Sequence, residues 1–283
     1  MEILKVDNLI IIAKVVGGTV LATVVSCLVW KRIRKPEKKE YPRDTVILHQ
    51  ISRGPFAPSI SQYVMKLETY LRFAKIPYMN VHGAQKSKKG KYPWIEYNDQ
   101  ELSDTEFIIE FLNETFKIDL DEKISAKERG AARAFQKMLE ENTFWAVTLD
   151  RWLYDSKSSG LRLIGVPSWI IFFLRRNVKN TTYAHGIGRH SQEEVYHILD
   201  RDLHSLSDFI GTNKFLLGDE PCQEDCAVFG QLSQIYWHSF GNKCNTYLKK
   251  YDNLCNYCER MKERFWPDWD QCITKRMTQK ATK

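Results

Sequence analysis

Residues 58–77 read PSISQYVMKLETYLRFAKIP, and this stretch decides the fold. Val64, Leu67, Leu71 and Ala74 recur at i, i+3, i+7 and i+10, which aligns them on one face of an α-helix that must be covered. Ser59 followed by Gln62 has the form of a capping box, so the helix is expected to begin near Ser59. Ile76-Pro77 ends it. Residues 46–51 (VILHQI) and 78–82 (YMNVH) flank the helix as short runs with strand character. Strand, helix and strand with short connections predict a parallel pair joined by a right-handed crossover. The helix amino terminus then points at one sheet edge, where its partial positive charge favours an anion.

Beyond this unit, residues 85–91 (QKSKKGK) form a charged turn, and residues 92–97 (YPWIEY) read as a strand with proline at its entrance. Asn98-Asp99 supplies a hairpin turn into Glu101-Leu102. Ser103 and Glu106 have capping-box spacing ahead of a helix that buries Phe107, Ile108, Phe111 and Leu112. From about residue 121 the pattern is helical. One long helix is expected over residues 126–155, a buried helix or a surface resting on a membrane over 166–178, and a helix capped by Ser191 over the next twenty residues.

The run PSISQYVMKLETYLRFAKIPY and the closing segment YDNLCNYCERMKERFWPDWD, residues 251–270, resemble the failed-axon-connections group of glutathione-S-transferase-like proteins. That group includes the nematode cadmium-responsive proteins and is related to the metaxins. KFLLGDEPCQED, residues 214–225, resembles a signature of the transferase carboxy-terminal domain. The resemblance covers residues 41–270 and implies an α/β thioredoxin-like domain (45–120) followed by an all-α domain (121–270), with a basic tail at 271–283. It also implies a catalytic Ser61 beside the glutathione sulfur, a cis-proline at Pro93, and Asp104-Thr105 contacting the γ-glutamyl end. Ser59 and Tyr92 complete the implied glutathione-binding set. Read from the residues alone, Ser59, Ser61 and Asp104-Thr105 would simply serve helix starts. In the signature, Cys222 stands where the transferase pattern has a hydroxyl residue, which would weaken that cap by about 1 kcal/mol.

Residues 9–30 form a 22-residue apolar run broken by Lys14, after a flank at residues 1–8. Its length predicts a single transmembrane signal anchor, and the following basic tether (31–44) predicts a cytosolic folded body. The formal net charge is +7, and residues 31–39 hold six cations and one anion, leaving only +2 for the rest. That distribution argues against nucleic-acid binding. Seven cysteines do not suggest a disulfide framework. Cys222, Cys226, Cys255 and Cys258 raise soft-metal binding, but helical spacing of three and four describes one buried face equally well, and no metal site is expected.

Two functions follow. The first is a membrane-anchored, glutathione-binding protein of stress, cadmium response or detoxification, with weak transferase activity through Ser61. The second is a non-enzymatic, membrane-attached scaffold of metaxin-like type that binds itself or a protein partner.

Overall fold

Strand β1 (Val46–Gln50) is buried along its whole length and forms the spine of a four-stranded sheet. It pairs in parallel with β2 (Tyr78–His82), Val46 opposite Tyr78, and antiparallel with β3 (Trp94–Tyr97), Leu48 opposite Ile95. β3 turns through Asn98 and Asp99, both at positive φ, into β4 (Gln100–Ser103), giving the order β2-β1-β3-β4. These are the strands and the hairpin that the sequence predicts. The structure, a computed structural model, describes residues 40–238 and 243–274.

Between β1 and β2 runs α1 (Gln62–Phe73). Its predicted face packs on the sheet: Leu67 and Leu71 join Val46, Leu48 and Ile95 in one core, to which α2 (Thr105–Phe116) adds Ile108 and Leu112. Its opposite side is buried too, Met65 entering a second core with Leu139, Leu203 and Phe229. Gly230 makes this possible: a Cβ there would stand 2.6 Å from the Gln62 carbonyl oxygen, so α1 and the helix carrying Gly230 approach backbone to backbone. α1 is therefore a central helix rather than an amphipathic surface helix, and it encloses Lys66 and Glu68 at 3% and 0% exposure.

The second layer is helical: α3 (Ala126–Met138), α4 (Phe144–Leu149), α5 (Ser159–Leu163), α6 (Ser168–His185), α7 (Gln192–Ile210), α8 (Asp225–Tyr236), α9 (Cys244–Leu248) and α10 (Asp252–Phe265). The expected long helix is continuous from Ala126 to Tyr154 but contains two π-helical turns, Leu139–Thr143 and Asp150–Tyr154. Asp225 anchors the predicted signature, accepting N–H bonds from Leu216 (3.0 Å) and Cys222 (2.8 Å) and the Tyr257 hydroxyl (2.7 Å). The carboxylate half of that capping box thus survives the loss of the hydroxyl at Cys222.

Four expectations are corrected. The α1 cap is Ser61, whose hydroxyl accepts the Val64 N–H at 3.4 Å. Ser59 is buried one step upstream, accepting the Ser61 N–H, while its carbonyl accepts from Gln234 Nε2 at 3.0 Å on α8. Ser103 does not cap α2; Asp104 precedes that helix, and the Glu106 carboxylate is drawn instead to Lys66, Arg133 and Gln136. The apolar core of residues 166–178 is not buried, since Trp169, Phe172 and Phe173 on α6 are each more than 60% exposed. Finally, no helix among the described residues is long and apolar enough to cross a membrane, which overturns the single-pass assignment. The run at 9–30 and the tether cations at 31–39, on which that assignment and its cytosolic orientation rested, lie outside the described residues.

Candidate functional site

Where β3 begins and α2 begins, the chain is held in two unusual backbone conformations. The Tyr92–Pro93 peptide bond is cis, and Asp104 has φ 85° and ψ 118°. A non-glycine residue at that φ costs roughly 1–3 kcal/mol, and such outliers gather at ligand sites. The Asp104 side chain makes no capping bond to α2, so the strain is not offset by a cap. Its Oδ2 instead receives Lys91 Nζ at 3.2 Å.

These residues line a cavity of about 420 Å³ together with Thr105, Tyr63, Lys137, Glu140 and Glu141. That volume lies in the range of small-molecule sites. Thr105 is the first residue of α2, so the positive end of a twelve-residue helix faces the cavity. The opposite wall comes from the first π turn, whose extra residue per turn aims both Glu140 and Glu141 at one side.

A buried ion cluster braces that wall. Lys66 Nζ donates to Glu140 Oε1 at 2.7 Å and also to Glu106, which is further held by Arg133 and by Gln136 Nε2 at 2.6 Å. Lys137 Nζ reaches Glu140 Oε2 at 3.1 Å. Burial alone would raise the Glu106 carboxyl, but Lys66, Arg133 and Gln136 together override it and hold the group down at about 2. The Tyr63 hydroxyl is raised well above its ordinary range, first by burial and then by Glu140, Glu141 and Asp104, so it is a neutral phenol at neutral pH.

A second cavity of about 410 Å³ lies beyond Tyr63. Its lining is mostly apolar, with Ile51, Ile60, Phe144, Val147, Trp152 and Leu174, and it includes Ser61 and Arg151. Arg151, on the second π turn, is buried and donates to the carbonyls of Ile60 (3.2 Å) and Gln234 (2.9 Å), which fixes the loop ahead of α1. Burial lowers its guanidinium to about 10.

The residues expected from the sequence thus separate. Tyr92, Pro93, Asp104 and Thr105 line the polar cavity, Ser61 lines the apolar one, and Ser59 lines neither. Sequence reasoning missed Tyr63, Glu106, Lys137, Glu140, Glu141 and Arg151. The available signal was the Glu140-Glu141 pair directly after the apolar Met138-Leu139 of the long helix. Among the described residues no three His, Cys, Asp or Glu side chains converge as a metal site requires, and the six described cysteines are free.

Two family models match the chain, the glutathione S-transferase N-terminal domain over residues 62–157 and the glutathione S-transferase C-terminal domain over residues 199–261. "Failed axon connections" of Drosophila melanogaster is 34% identical over 84% of this chain, which spans 62% of that relative's length. Metaxin-1 of Mus musculus is 26% identical over 81% of the chain and 78% of its own length. The chain is a metaxin-related, glutathione-S-transferase-like protein. The isoprene-epoxide–glutathione S-transferase of Rhodococcus sp. is 28% identical over 74% of this chain and 94% of its own length. Among solved structures, a beta-etherase from Sphingobium sp. superposes with a TM-score of 0.55 at 16% identity, covering 79% of this chain and 99% of the other. That likeness shows the thioredoxin-like layer and helical layer of the transferase fold. In this chain the polar cavity lies at the junction of the two layers.

Proposed function

We propose that the polar cavity binds glutathione. The observation that carries this reading is Asp104, a strained residue whose carboxylate does not cap its helix but lines the cavity beside Thr105 and the cis Tyr92–Pro93 bond. A carboxylate there receives the γ-glutamyl ammonium, while the α2 amino terminus and Lys91 favour a ligand carboxylate. The Ser61 hydroxyl accepts from Val64, which leaves its own O–H available to donate to a thiolate sulfur. Ser61 is accordingly the catalytic residue of a weak glutathione transferase, and the epoxide-conjugating relative suggests an epoxide as the test electrophile. A role in stress or cadmium response would, on this reading, run through glutathione. The test is conjugation of 1,2-epoxy-3-(4-nitrophenoxy)propane by the full-length protein. Ser61→Ala is expected to abolish turnover while leaving glutathione binding within about threefold; turnover that persists undiminished overturns the role of Ser61.

A second reading, an interaction scaffold of metaxin-like type, is favoured by one observation. Trp169, Phe172 and Phe173 present a contiguous aromatic face on α6. Under it, serine at these three positions lowers self-association or partner capture, and Ser61→Ala changes neither.

A further inference from the structure

The transferase reading requires the sulfur of a ligand held by Asp104 and Thr105 to meet Ser61. These groups stand in different cavities, and Tyr63 is the residue common to the linings of both. Its half-buried ring is fixed on one side by Phe144, at a centroid distance of 5.8 Å, and its hydroxyl donates to the Glu140 carbonyl at 3.3 Å. Both partners belong to the helical segment that walls the cavities, so the phenol spans from α1 to that segment and forms a partition between them.

Resting on the proposed glutathione site, we infer that Tyr63 is a gate and the specificity-determining residue of this protein. It admits glutathione to the polar cavity while limiting the size of whatever apolar group, electrophile or thioether product, extends from the sulfur into the apolar cavity. The hydroxyl-to-carbonyl bond is the latch: it is long for an O–H donor, and breaking it removes the ring's polar tie to the helical segment while leaving the α1 backbone in place. Tyr63 acts on the ligand by its volume and by the latch, not by proton transfer, consistent with a phenol that stays protonated.

The experiment is calorimetric titration of full-length wild type, Tyr63→Phe and Tyr63→Ala with two probes, glutathione and S-hexylglutathione. Folding of each is checked by circular dichroism and melting. Because Tyr63 also lines the polar cavity, glutathione affinity is measured in each variant as the reference, and the ratio of the two affinities is the readout. The ratio of S-hexylglutathione to glutathione affinity is expected to rise tenfold or more in Tyr63→Ala, where the partition is removed, and two- to fivefold in Tyr63→Phe, where only the latch is lost. An unchanged ratio in both variants, with glutathione still bound, overturns the gate alone. Absence of glutathione binding by folded wild-type protein overturns the glutathione site and the gate with it. Should Tyr63→Ala fail to fold, an unchanged ratio in Tyr63→Phe is sufficient to reject the latch and with it the gate.

Discussion

Helix α1 carries two buried ion clusters, one on each side, and they have different consequences. Around Glu68, Arg53 donates twice (2.6 and 2.8 Å), and Gln50 (3.0 Å), Asn80 (3.1 Å) and Tyr78 (3.2 Å) complete the shell, with Arg72 nearby. Glu68 is fully buried and lines neither cavity, so its bonds hold loop, helix and β2 together. Around Lys66, the partners Glu106 and Glu140 come from α2 and a π turn and have one side on the polar cavity. The same chemistry thus closes one region and shapes an opening in the other. Burial of charge alone does not mark a site; burial of charge beside an opening does.

The largest expected effect tests the closed cluster. Glu68→Ala leaves Arg53 buried without its carboxylate and should cost about 3–5 kcal/mol in urea unfolding, while the fraction that remains folded binds glutathione normally. Lys66→Met should cost less, about 2 kcal/mol, because Arg133, Gln136 and Lys137 still reach the two carboxylates. It should also change the acid response. Glu106 titrates lower in the folded protein than unfolded, so its stabilisation is present above the ordinary carboxyl range and is lost as pH falls toward about 2. In Lys66→Met that loss should occur at higher pH, visible as a thermal midpoint that drops earlier on acidification. If the two variants were equally destabilising and equally harmful to binding, the distinction between the clusters would fail.

Glu224 gives the opposite limit, a buried carboxylate whose Oε2 has no hydrogen-bond partner among the described residues. Burial and then Asp121 raise it to about 7. Because it holds its proton more tightly folded than unfolded, its contribution weakens as pH rises from the ordinary carboxyl range through about 7. Glu224→Gln should therefore stabilise the protein at pH 8, by on the order of 1 kcal/mol, with little change at pH 5.

Much of this fold was legible because it rests on local rules. The strand-helix-strand unit followed from the α1 periodicity, the hairpin from Asn98-Asp99, and the α7 start from Ser191, whose capping box with Glu194 is formed. The missed features depend on tertiary contacts that spacing does not encode. Glu106 fits a capping box until Lys66 arrives from another helix. Ser59 looks like a cap until Gln234 fixes its carbonyl. The Trp169–Leu174 run reads as core because apolar sequence does not say whether a partner helix covers it. The polar cavity was half legible: Tyr92, Pro93, Asp104 and Thr105 came from family resemblance, whereas Glu140 and Glu141 there, and Arg151 in the apolar cavity, required two π turns that no periodicity announces.

The most direct test of the glutathione site is titration of glutathione into wild type and Asp104→Gly, both full length. Glycine relieves the backbone at φ 85° and removes the carboxylate, so stability and function should move in opposite directions. The account predicts a melting midpoint that is unchanged or higher, by about 1 kcal/mol in stability, together with glutathione affinity about tenfold weaker, the scale of one lost charge-assisted contact. Equal affinity for glutathione in the two proteins, or none in folded wild type, would contradict it.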